Sequence, residues 1–264
     1  MILSLSYEVA EEEAEGESHE GRASGAVADD PFFATVEERG RVVGGAFRAP
    51  PQQVLLTDIP EAAAPALARE LADAHATLPA VLGPPNLAEA FARTWVAIHG
   101  GVFRAGTDQR LYRLDVVTSL AGPGRLRPVR PDEVALVAAW AEEFARDVHA
   151  RFGPGEERIA RWIELGHVFV WEDGGVPVSM AAAHGRTPRG ARVGYVYTPP
   201  ESRRRGYAGA CVAELSQLLL DSGLDFCVLY ADLANSTTNA LYQKMGYRPI
   251  CDVRDYHFDT EARS

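Results

Sequence analysis

The chain has a single lysine, Lys244, and only three methionines and three cysteines among its 264 residues. Every other basic side chain is arginine, which we read as genome composition. Cys211, Cys227 and Cys251 are odd in number and lack metal-ligand spacing. Buried reduced thiols are therefore expected, rather than a disulfide framework or a metal site. No apolar run approaches the ~20 residues of a membrane span. The opening Met1–Tyr7 lacks a basic region and runs into acid, so it is a poor signal peptide. These absences fit a cytoplasmic protein with no membrane partner. No Gly-Lys-Ser/Thr closes a Walker loop, and no G-x-G-x-x-G dinucleotide fingerprint occurs. Nor does a carboxylate pair or a Ser-His-Asp arrangement stand out.

Positive charge is also scarce. The formal net charge is −11, and the first 119 residues carry 18 acidic against 9 basic side chains. The excess is concentrated between Glu8 and Glu20, a stretch expected to be a solvated face or loop. This balance argues against nucleic-acid binding and favours cationic small molecules. The 47% hydrophobic content is ample for a packed core, and the length fits one large domain or two ordinary ones.

Periodicity divides the chain into two α/β stretches, joined at Ala121-Gly-Pro-Gly124. The first, residues 1–120, opens on Ile2, Leu3, Leu5, Tyr7 and Val9 as if inside an element, so a first strand missing or a start further upstream is expected. A hairpin over residues 32–47, a strand over 53–57 and a helix from Pro60 to His75 follow. Asn86 then caps a helix bearing Leu87, Phe91, Trp95 and Ile98, and Arg110–Val117 reads as a strand. The second stretch, residues 124–264, reads as a strand, two helices, a hairpin over 167–183, a strand, a helix, a strand, a helix from Asn235 and a last strand. The shared order is a weak internal repeat. The expected fold is mixed α/β (α+β) with two mixed-sheet domains.

The stretch Val193–Ala210 organises the second half. An apolar and aromatic strand breaks at Pro199-Pro200, passes Arg203-Arg204-Arg205-Gly206, and continues as a helix with Ala208, Cys211, Val212, Leu215 and Leu219 on one face. First-turn amides of such a helix lack internal partners, and its dipole adds positive character. With small residues and arginines alongside, the turn reads as a pyrophosphate cradle.

Arg203-Arg-Arg-Gly206-Tyr-Ala208 satisfies Q/R-x-x-G-x-G/A, and Asn235-Ser-Thr-Thr-Asn-Ala-Leu-Tyr242-Gln-Lys-Met-Gly-Tyr247 is similar to N-x-x-A-x-x-L-Y-x-K-x-G-F. Together they resemble the GNAT acetyltransferase superfamily over residues 124 to 258, with Thr238 where alanine is usual and Tyr247 in place of phenylalanine. The resemblance implies acetyl-CoA as cosubstrate, with its pantetheine arm pairing to the backbone of Val196, Tyr197 and Thr198. It implies pyrophosphate on the loop of Arg203, Arg204, Arg205, Gly206, Tyr207, Ala208 and Gly209, with Asn235 and Asn239 beside the cofactor. Tyr242 becomes the general acid for the leaving thiolate. The first half has Asp58-Ile-Pro60 where the cradle would stand, so it is expected to be a degenerate GNAT-like domain that shapes the acceptor groove.

The implied reaction is acetyl transfer to a primary amine of a small molecule, amino acid or peptide. Protein N-terminal or lysine acetylation and a non-catalytic acyl-CoA-binding module stay open as rivals, as does a homodimer. The general base is not legible. Glu164, Glu172, Asp173 and Asp232 are the carboxylates weighed for it, while His167 and His184 read as solvated or structural.

Overall fold

The computed structural model describes residues 2–4, 31–50, 52–75, 77–120, 122–148 and 155–259. The acidic stretch between Glu8 and Glu20 lies outside them. Contacts divide the chain into two units, one comprising residues 1–109 and 252–264, the other residues 110–251. Gly122–Gly124 thus lies within the second unit.

The first unit begins with β1 (Ile2–Ser4), which pairs antiparallel with Thr35–Glu37. The unit therefore has an edge strand. β2 (Phe32–Glu38), β3 (Arg41–Arg48) and β4 (Val54–Leu56) continue antiparallel. The chain then forms α1 (Ala63–Ala74), β5 (Ala80–Gly83) parallel to β4, and α2 (Pro85–His99). Leu67, Ala68 and Leu71 on α1 and Ala88, Phe91 and Ala92 on α2 are fully buried against this sheet. Each large apolar side chain so buried contributes about 1.5–3 kcal/mol. Two readings are corrected here. The helix cap is Pro84 and not Asn86, which lies inside the first turn behind Pro85, because proline's fixed φ and missing N–H suit the first helical position. The strand β5 was not foreseen: four residues between prolines, all buried, show no alternation.

From its hairpin onward the second unit repeats this order. After β6 (Val102–Leu114) come β7 (Arg125–Pro128), α3 (Val134–Asp147) and α4 (Glu156–Glu164). β8 (Val168–Asp173) and β9 (Val176–His184) form a hairpin over Gly174-Gly175, both at positive φ. β10 (Gly190–Tyr197) pairs antiparallel with β9. α5 (Tyr207–Asp221), β11 (Phe226–Asp232), α6 (Ser236–Lys244) and β12 (Arg248–Asp259) complete the chain. α5 packs on one sheet face with Ala191, Val193, Cys211 and Leu215. α3 and α4 cover the other with Val137, Trp140, Ile159, Met180 and Tyr197.

The closing strands are exchanged. In the first unit β5 is flanked by residues 254–257 of β12, paired antiparallel. In the second, β6 lies beside β11, so Tyr112 and Leu114 join that unit's core.

Candidate active site

Four elements converge at one end of β10. Its parallel pairing with β11 joins Gly190–Arg192 to Phe226–Val228 and extends no further. On its other side, Gly194 pairs with Ala182 and Tyr197 with Met180. Two β10 residues, Tyr195 and Val196, therefore oppose the single Ala181, which is a β-bulge. Tyr195 carries φ +50. The extra residue reverses the strand's alternation: Val193 faces α5, whereas Tyr195 and Tyr197 face α3 and α4.

Beyond β10 the chain turns through Pro199 and a short 3-10 turn at Pro200–Ser202. Arg204 has φ +64, and Gly206, at φ +83, is the N-cap of α5. No side chain caps this helix, and its first bond is Ala210 N–H to the Gly206 carbonyl at 3.0 Å. The amides of Tyr207, Ala208 and Gly209 thus stand before the first internal bond, at the positive end of the dipole. A Cβ on Gly206 would meet nothing within 4 Å, so the turn faces open space. Arg204 and Arg205 are exposed and, among the described residues, pair with no carboxylate. This donor set suits a diphosphate.

Other residues expected around the cofactor are engaged elsewhere. Arg203 donates to the Thr198 carbonyl and to Asp147, each at 2.9 Å, and lies over the Tyr197 ring. Tyr207 is buried and donates its hydroxyl to Asp173. A Cβ on Gly209 would sit 3.1 Å from Leu241 and 3.2 Å from Leu120, so this glycine admits close packing. Ala208 is half-buried. The Tyr197 carbonyl accepts from Ser179 Oγ at 2.9 Å, and the Thr198 hydroxyl lies 2.8 Å from the same Oγ. Val196 lies within the bulge. Asn235 is the N-cap of α6 and accepts from Thr238 N–H at 3.0 Å. Asn239 donates to the carbonyls of Asp232 and Asn235 and accepts from Tyr112 at 2.7 Å. Both asparagines pin α6 to its surroundings.

Tyr242, on α6, is 6% exposed and packs against Tyr112 and Tyr247. Burial, with Cys211 nearby, pushes its phenol above the usual range, so it stays protonated. Its hydroxyl has no partner among the described residues. It is not sealed either, since His99 Nε2 is the sole side-chain atom among them both buried and unbonded. A protonated phenol with no partner among the described residues can donate.

None of the four carboxylates weighed as base is free. Glu172 is held by Arg125, Arg127 and Arg130, and the Arg125 and Arg127 hydrogen bonds keep its carboxyl below the usual range. Asp173 accepts from Tyr207, and Asp232 from Ala234 N–H at 2.8 Å. Glu164 is exposed beside Arg161. His184 is buried, and burial together with Arg192 lowers its pKa to about 3. It is therefore a neutral, structural ring. Tyr195 and Trp162, whose rings pack on it, were not foreseen as its neighbours, because a bulge at a tyrosine leaves no local sequence signal.

Residues 137–247 match the model of the acetyltransferase (GNAT) family. Solved structures with a similar fold include a GCN5-related N-acetyltransferase from Kribbella flavida, 14% identical, covering 83% of this chain and 88% of that one at a TM-score of 0.57. Another from Sphaerobacter thermophilus is 16% identical, covering 88% and 81% at 0.57. A Drosophila protein is 14% identical, covering 87% and 79% at 0.60. No curated protein matches the chain. Among the described residues no helix is long and apolar enough to cross a membrane, and no group of metal-ligating side chains is found.

Proposed function

We propose, from the premise that the second unit is a domain of the GNAT acetyltransferase family, that this chain transfers an acetyl group from acetyl-CoA to a primary amine of a small molecule. The observation that carries this reading is the uncapped N-terminus of α5, with Gly206 and two arginines that pair with no carboxylate among the described residues, beyond a bulged strand that has ceased to pair with β11. The amides of Tyr207, Ala208 and Gly209 and the side chains of Arg204 and Arg205 would hold the diphosphate. The backbone at Val196 would take the pantetheine arm. The amine nitrogen attacks the thioester carbonyl, the C–N bond forms, and the C–S bond breaks as the sulfur leaves with its electron pair. Tyr242 would donate a proton to that sulfur, and the proton that the amine nitrogen loses on becoming an amide would pass through solvent and restore the Tyr242 phenol.

The first unit would act in support. At its equivalent turn, Ala63 N–H is bonded to the Pro60 carbonyl, and Asp58 and Glu61 bring negative charge. A phosphate would be repelled there. Calorimetry with acetyl-CoA tests both statements. The expected result is one site per chain; two equivalent sites would give the first unit a cradle, and no binding at millimolar ligand would end the acetyl-transfer reading. Release of free thiol with an amine present then separates turnover from binding alone.

A further inference from the structure

The bulge in β10 does more than expose backbone. Without it, strand alternation would turn Tyr195 toward α5, on the side of Ala191 and Val193. With it, the Tyr195 ring sits among Phe144 of α3, Trp162 of α4 and His184 of β9, at centroid distances of 5.3, 5.2 and 5.6 Å. Trp162 in turn stacks on His184 at 5.3 Å. Arg192 donates from Nε to His184 Nε2 at 3.2 Å and lies over the Tyr230 ring of β11 at 5.8 Å. Phe144, Trp162, Tyr195 and Tyr230 are all half-buried, the first three at the edge of the core beneath α3 and α4.

Two further features suit a ligand. A tyrosine at positive φ is strained, whereas a glycine would form the same bulge freely. The hydroxyls of Tyr195 and Tyr230 have no partner among the described residues and are not sealed from solvent. Burial nonetheless raises the pKa of both phenols, so they remain donors.

Building on the acetyl-transfer reading, we propose that this partly exposed aromatic cluster lines the acceptor site and that it selects an amine carrying an aromatic ring. The ring would lie against Trp162, Phe144 and Tyr195, and the two hydroxyls would bond its polar groups.

The test is calorimetric titration of the CoA-bound protein with phenethylamine and with 1,4-diaminobutane. Phenethylamine should bind about tenfold more tightly, the scale of an aromatic contact plus ring burial. Tyr195→Gly, which keeps the backbone conformation and removes the ring, should erase the preference while CoA still binds. Trp162→Leu, on a different element, should weaken phenethylamine binding in the same sense. Equal or tighter binding of the diamine, or a preference that survives both substitutions, overturns the proposal. Wild-type protein that binds CoA but prefers the diamine overturns this acceptor site alone, whereas failure to bind CoA at all overturns the acetyl-transfer reading beneath it as well.

Discussion

At the residue scale, Tyr242 and His184 are buried rings with opposite consequences. The Tyr242 hydroxyl makes no bond among the described residues, so Tyr242→Phe removes no stabilising interaction. Its melting temperature should match the wild type. If the hydroxyl protonates the leaving sulfur, kcat should fall by ~10²–10⁴ with CoA affinity retained. Wild-type kcat in the variant would remove Tyr242 from the chemistry. His184 is instead a stability device. Its folded pKa of about 3 lies below the unfolded value of 6.5, so below pH 6.5 the unfolded chain binds a proton that the folded chain refuses. Stability should be full above pH 6.5 and fall by about 1.4 kcal/mol per unit as pH drops toward 3. Between pH 6.5 and 5, before the carboxylates titrate, His184→Gln should flatten this slope in denaturant titrations. An unchanged slope would mean that His184 takes up its proton while folded.

At the element scale, α5 concentrates the cradle. Gly206→Glu would force an L-residue to φ +83 and set a carboxylate before the orphan amides. Space is not the obstacle, since a Cβ there meets nothing. CoA binding should be lost in calorimetry while the melting temperature drops only slightly. Retained binding would place the diphosphate elsewhere. The cradle was legible in sequence because its signals are local: prolines end a strand, a glycine permits positive φ, and apolar spacing announces the helix. The bulge at Tyr195 was not, because it depends on which β10 residues meet Ala181 across the sheet. Nor was the engagement of Arg203, whose partners Asp147 and Thr198 lie 56 and 5 residues away. The asparagines illustrate the same limit. Asn235, expected beside the cofactor, caps α6, and Asn239 is fixed by Tyr112, 127 residues distant.

At the scale of the whole molecule, the exchange of closing strands decides what can be cut from the chain. Sequence punctuation at Ala121–Gly124 invites a fragment of residues 124–264. That fragment would lack β6, whose Tyr112 and Leu114 are fully buried in the second unit's core. It would also end in residues 252–259, whose partner β5 lies in the first unit. Losing two large core side chains costs about 3–5 kcal/mol each, against a total stability of about 5–15 kcal/mol. Residues 124–264 alone should therefore show no cooperative thermal transition by circular dichroism and bind no CoA. A fragment of residues 110–251 keeps both core side chains and omits the unpaired end, so it should retain more structure. The comparison separates the two ways of dividing the chain. If residues 124–264 melt cooperatively and bind CoA, the strand beside β11 is dispensable, and the second half is autonomous in spite of the exchange.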